Sequence, residues 1–343
     1  MRKKLLIIVG WLLSIVLLYF TFKDHPFDQL WSTLKSANYF WVLPNVVLIM
    51  AAMLYRAYRW QIMIDPIKRI GLSDLFASTM VGFMANNVLP LRMGEFIRAY
   101  SIGKLGNLSR SSSFATIVLE RIFDTFTLLL MLTVILIARA LPLNPEGEYY
   151  DRIVYAGYLM LALSIVLLAL LVLLKVKSPQ TLGILRKLLS IFPKKISDFV
   201  LYIFEKFAEG LAVLGDTGRM LRIVLHSILL WIIMALSNYF IFIALGLTDL
   251  PWTASFVVLI VVSLGIFVPA SPGYIGLFHY LVVLSLSIYP AEVSDSSARG
   301  CAIILHASQY IIITVVGIYY LMRRHLSLKE AQIEAEKEAE QEV

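Results

Sequence analysis

Six residues between positions 92 and 124 have the types and spacing to do chemistry in an otherwise apolar chain. Arg92, Glu95 and Arg98 recur every three positions, so one side of a helix carries all three. Glu120, Arg121 and Asp124 form a second cluster, with i,i+3 and i,i+4 spacings. If the clusters converge, three guanidiniums face three carboxylates. The carboxylates then orient the arginines, and a planar guanidinium can grip a phosphate with two parallel hydrogen bonds. Asn87 and Pro90 sit just ahead of the first cluster. A helix restarting after Pro90 presents free amides, a further anion site. The chemistry this favours is binding of an anionic headgroup, most simply a phosphate on a lipid. A plainer reading uses the same residues: a buried ion network that locks 86–98 to the helix over 114–138. Glu120 and Asp124 are expected mainly to orient the arginines in either case.

Other polar residues carry weaker signals. Arg56 and Arg59 are read as anchors at the inner membrane interface, because Lys68 and Arg69 follow. Asn238, His279 and His306 fall in apolar segments, where each reads first as a helix-contact residue; His279 ranks highest because it follows the Pro272–Phe278 break. No histidine spacing makes a metal motif. No nucleotide-binding, zinc or Ser-His-Asp signature is present, so neither cofactor nor metal is expected. Cys301 has no partner and reads as packing.

The elements that must position these groups are membrane helices. The 343 residues are 59% hydrophobic and only 15% charged, against about 25% charged in a soluble chain. Several apolar runs approach or exceed the ~20 residues that span hydrocarbon. The net charge of +7 is explained by basic inner loops, not by nucleic-acid binding. Arg2, Lys3 and Lys4 ahead of the first helix, and Arg323-Arg324-His325 after the last, place both termini in the cytoplasm. The pattern predicts an all-α polytopic membrane protein with about six full spans and two re-entrant hairpins, or eight spans if the second hairpin crosses fully. Residues 1–325 form one transmembrane domain; 326–343 is a charged, solvated tail. Residues 196–211 read as an amphipathic helix on the inner surface or on the protein's own inner face.

The two broken regions match each other. Pro90-x-x-x-Gly94-x-Phe96 and Pro272-x-x-x-Gly276-x-Phe278 share one pattern, and Gly273 adds a second glycine to the later tip. The halves, about 1–140 and 150–325, run in the same order with opposite membrane orientation. Inverted repeats with broken helices in matching positions mark secondary transporters.

At this point the residues resemble a known family. Asn87-x-x-Pro90-x-Arg92-x-Gly94-Glu95-x-x-Arg98, then Glu120-Arg121-x-x-Asp124, then Pro272-Gly273-x-x-Gly276-x-Phe278 look like the motifs of the lysylphosphatidylglycerol synthase transmembrane, or flippase-like, family, over residues 1 to about 325. The resemblance implies a prokaryotic inner-membrane protein handling an anionic phospholipid, an aminoacylated phospholipid or a polyprenyl-phosphate lipid. Two positions depart from the pattern: Tyr274 stands where glycine is common, and His279 where a glutamate often follows the Phe.

The expected function is a lipid translocase that binds an anionic headgroup in a midplane cavity, with Arg92, Arg98 and Arg121 on the headgroup. Two rivals stay open: a headgroup transferase using Glu95 or Asp124 as base, and a non-catalytic membrane scaffold. The sequence ends before any soluble transferase domain, which is expected to exclude synthesis of lysylphosphatidylglycerol.

Overall fold

Two prolines interrupt helices at equivalent turns, and the rest of the bundle encloses the place where those turns meet. The computed structural model describes residues 2–23, 25–137, 178–191, 217–266 and 270–333, with single positions between 155 and 201. The described residues are helical: α1 Arg2–Phe22, α2 Phe27–Ser36, α3 Val42–Ile64, α4 Leu72–Val88, α5 Gly94–Gly106, α6 Arg110–Ile137, α7 Ser178–Leu189, α8 Thr217–Ala244, α9 Thr253–Gly265, α10 Leu277–Leu286 and α11 Asp295–Arg323. No strand occurs among them.

The first hairpin is α4 and α5. Leu89, held off the α region by the following proline, is extended at φ −106°, ψ 145°. Pro90–Arg92 makes one 3-10 turn, and Arg92 closes it in the left-handed region at φ +53°. The second hairpin, α9 and α10, repeats this step. Ser271 is extended at φ −60°, ψ 161°, Pro272–Tyr274 makes a 3-10 turn, and Tyr274 is left-handed at φ +58°. Arg92 and Tyr274 thus hold the same place after their prolines. The tips differ at Gly273, left-handed at φ +66° inside the second turn, and at Gly276, which adopts φ +88°, conformations that glycine takes at low cost. At 1.5 Å per residue, α5 and α9 are each about 20 Å long and α10 about 15 Å, short of the ~30 Å hydrocarbon core.

Three stretches, Tyr39–Ile64, Gly218–Ala244 and Asp295–Arg323, are long and apolar enough to cross a bilayer, and α1 with α2 would make a fourth. The expected six is therefore not reached among the described residues. Most of residues 153–174, and most of the amphipathic helix expected at 196–211, lie outside them. The span placed at 114–138 belongs to α6, whose 28 residues are long enough but carry Glu120, Arg121 and Asp124. After α1 the chain forms α2, which turns Leu30 inward and leaves Phe27 and Trp31 exposed.

Packing fixes the hairpins. Gly82 of α4 and Gly94 of α5 face each other so closely that a Cβ on Gly94 would collide with the Gly82 carbonyl. α1 lies on the second tip, where the Ser271 amide donates to Ser14 Oγ at 2.9 Å. The start of the tail is docked rather than solvated. Leu326, Leu328 and Ala331 pack on Val81, Ala85, Ile97 and Tyr100 of the first hairpin, and Tyr100 donates to Glu330 at 2.7 Å. Residues 334–343 lie outside the described residues.

Candidate functional site

A cavity of about 160 Å³ lies where the two tips meet. Arg92 closes one side, with Nη1 3.5 Å from the Ile266 carbonyl at the end of α9. Asn87 stands beside it but is tied to α11, donating to Thr314 Oγ1 at 2.9 Å. Glu95 lies 3.5 Å from Arg92. From α6, Arg121 and Asp124 reach the same space; from α3, Arg56; from α8, Asn238 and Trp231; from α11, His306 and Tyr310. The remaining wall is apolar, with Phe83, Val258, Val262 and Phe278 among its residues.

Behind this wall sits a dense ion network. Arg98 grips Glu120 with both terminal nitrogens at 2.9 Å and stacks on the Trp60 ring at 3.8 Å. Arg121 reaches Glu120 at 2.6 Å and Asp124 at 3.7 Å. Arg56 and Arg59 each bind Asp124 at 2.7 Å, from the two carboxylate oxygens, and Trp231 Nε1 donates to the same residue at 3.2 Å. Glu120 and Arg59 have no exposed surface. Charged groups at the centre of a membrane helix cost about 2.5–3.5 kcal/mol each on insertion scales, so they survive there by pairing.

The structure revises the expected set. Arg56 and Arg59 are not interface anchors: α3 runs on to Ile64, and both side chains turn inward onto α6. Their i,i+3 spacing, followed by the apolar run Ile62–Ile64, is the signal that separates them from a helix-end pair. The expected balance of three arginines and three carboxylates becomes five, Arg56, Arg59, Arg92, Arg98 and Arg121, against Glu95, Glu120 and Asp124. Arg98, expected at the headgroup, is not on the cavity wall; it pairs with Glu120, which also lies off the wall and braces Arg56 and Arg121, which are on it. Arg56 and Arg121 each keep a buried Nε with no hydrogen bond among the described residues, as does Asn238 Oδ1. His279 lies outside the lining, against His306. Pro90, Gly94, Pro272, Gly273 and Gly276 shape the tips, as their types suggest. Gly94 also receives a cap not foreseen: its amide donates to Asn86 Oδ1 at 2.7 Å, starting α5. No group of three metal-ligating side chains occurs among the described residues.

Membrane-length helices around a charged cavity closed by two broken hairpins define a polytopic helical membrane protein. The lysylphosphatidylglycerol synthase TM region family matches residues 7–317, and the chain belongs to that family. Among its relatives, a UPF0104 membrane protein of Methanothermobacter thermautotrophicus is 25% identical over 310 residues, covering 83% of this chain and 86% of that protein. UPF0104 membrane protein PH1989 of Pyrococcus horikoshii is 25% identical over 268 residues, covering 72% and 75%. Glycosyltransferase AglD of Haloferax volcanii is 23% identical over 354 residues, covering 96% of this chain but 56% of that protein.

Proposed function

We propose that this protein is a lipid translocase of the prokaryotic inner membrane, holding an anionic headgroup in the cavity while the hydrocarbon chains stay in the bilayer. The observation that carries the reading is the surplus of guanidinium over carboxylate at the cavity wall, Arg56, Arg92 and Arg121 against Glu95 and Asp124. Arg92, Arg121 and Arg56 contact the headgroup. Arg98, Glu120, Asp124 and Arg59 hold those arginines in place, Asn87, tied to Thr314, shapes the wall beside them, and Asn238 offers its amide to the headgroup's polar atoms.

Movement comes from the hairpins. The repeated extended–proline–left-handed step at Leu89–Arg92 and Ser271–Tyr274 supports an inverted pair of re-entrant hairpins, one opening to each side, with both termini cytoplasmic. Rocking one tip away from the other would expose the cavity to each leaflet in turn. The lipid belongs to the phosphate-bearing class: an anionic phospholipid, an aminoacylated phospholipid or a polyprenyl phosphate.

The test is mass spectrometry of lipids co-purifying with the protein, comparing wild type with Arg92→Gln/Arg121→Gln. The reading requires one anionic lipid class to be enriched in the wild type and lost in the folded variant. Equal bulk lipid in both leaves a structural ion network. Release of a modified headgroup from labelled lipid and a sugar or aminoacyl donor would instead make the protein a transferase.

A further inference from the structure

We infer that His279 and His306 form a one-proton site that fills when an anion occupies the cavity and empties when it leaves, so that lipid transfer is proton-coupled. The inference rests on the headgroup reading above and supplies the energy source that reading lacks.

The geometry begins at the second tip. His306 Nε2 is 2.7 Å from the Gly273 carbonyl. A carbonyl only accepts, so Nε2 carries the hydrogen and, in the neutral ring, Nδ1 is the basic nitrogen. His279 Nδ1 is 3.4 Å from the Gly276 amide, which only donates, so that nitrogen is unprotonated. The rings stand edge to face with centroids 4.8 Å apart. Both rings are thus committed to the backbone of the same turn, Gly273 and Gly276, on either side of the left-handed Tyr274. A proton arriving at His306 Nδ1 keeps the bond to Gly273. A proton at His279 Nδ1 would break the bond to Gly276. Two imidazoliums at this separation repel strongly, so the pair holds one proton, and His306 is the place for it.

His306 also lines the cavity, whereas His279 stands behind it. That gives the proton an aqueous entry and gives the pair an electrostatic link to the headgroup. The charged and titratable groups facing the pair across the cavity are Arg92 and Tyr274 from the tips, Glu95 from α5, Arg121 and Asp124 from α6, and Arg56 from α3. Tyr310 adds a ring from α11 itself, and α1 contributes Phe22 beside His279. With the cavity empty, the surplus guanidinium charge disfavours a third class of cation there. A bound anion cancels that surplus and favours imidazolium. By linkage the converse holds equally: a proton on His306 strengthens anion binding by the same factor. Protonation also acts where movement is needed, because His306 is latched to the turn that must swing.

The experiment is isothermal titration of the purified, detergent-solubilised protein with dihexanoyl phosphatidylglycerol, whose phosphodiester does not titrate near neutral pH. Runs at one pH in buffers of different ionisation heat give the number of protons taken up. The expected result is a net uptake above zero and not above one, with wild-type affinity rising as pH falls, at most roughly tenfold per pH unit. The slope vanishes in His306→Gln, whose amide can still donate to Gly273. His279→Gln, which can still accept from Gly276, leaves His306 in place and keeps the uptake. Binding with no uptake, binding independent of pH from 5.5 to 8.5, or uptake kept in His306→Gln would overturn the coupling and leave the headgroup reading intact. No binding by the wild type at any pH would remove both.

Discussion

Replacing Arg98 separates a bracing arginine from a contacting one. Arg98→Gln removes two charge-assisted bonds of 2.9 Å to Glu120 and a guanidinium stacked 3.8 Å from Trp60. Breaking one partner out of a buried ion pair costs about 3–5 kcal/mol, because a buried charge is left behind. Here Glu120 keeps Arg121 at 2.6 Å and Arg56 at 3.3 Å, so the expected loss is at the lower end, about 3 kcal/mol. Arg92 is different. Its ion pair with Glu95 is 3.5 Å long, and both side chains keep contact with the cavity, at 25% and 19% exposure. Such a pair contributes about 0–1 kcal/mol. Equilibrium unfolding in mixed SDS micelles should therefore place Arg98→Gln at least about 2 kcal/mol below Arg92→Gln, while Arg92→Gln loses more headgroup binding per unit of stability. Equal destabilisation by the two substitutions would refute the division into brace and contact.

Other outcomes follow from single contacts. Gly94→Ala drives a Cβ into the Gly82 carbonyl and Asn86 Oδ1, and should cost about 1–3 kcal/mol in the same unfolding assay, whereas Gly71→Ala, with open space around its Cβ, should be near neutral. Asn86→Ala removes the oxygen that receives the Gly94 amide, so about 1 kcal/mol of stability should go with it in the same assay. Hydrogen bonds from Tyr100 and Lys104 hold the Glu330 carboxyl below the usual carboxylate value. Its contribution to tail docking is then fully present above that usual value and lost as pH falls through the lowered one. Protection of residues 326–333 from hydrogen exchange, taken relative to the intrinsic rate at each pH, should hold from pH 8 to 5 and fall once the pH drops below the usual carboxylate range, and Glu330→Gln should lower it at neutral pH.

Much of the site was readable because breaks and charges stand out in apolar sequence. Pro90 and Pro272 announce the two tips, and their shared spacing with Gly94 and Gly276 matches the repeated turn. Arg92, Glu95, Glu120, Arg121 and Asp124 declare themselves by charge and helical period. What charge alone cannot give is direction. Arg56 and Arg59 look like interface residues because inner-loop lysines follow them, yet the helix continues for another turn and buries both. Arg98 is spaced from Arg92 as if both lay on one side of a helix, but Arg92 sits in the left-handed turn ahead of α5, and Arg98, inside α5, reaches Glu120 and Trp60 instead. His306 stood out only as a polar group in an apolar segment, since its hydrogen bond is to a backbone carbonyl at Gly273, 33 positions away in sequence. Asn86 was visible as a polar residue, but its capping of α5 depends on the hairpin closing first.

On the proposed function, the cavity arginines carry an anionic headgroup between leaflets. The decisive assay is transbilayer movement of acyl-chain-labelled phosphatidylglycerol in proteoliposomes, read by dithionite quenching, with each candidate lipid class run as an unlabelled competitor. Transfer is expected for the wild type, competed by one phosphate-bearing lipid class, and lost in Arg92→Gln/Arg121→Gln reconstituted at equal folded amount. Transfer that is the same in wild type, variant and protein-free vesicles would contradict it.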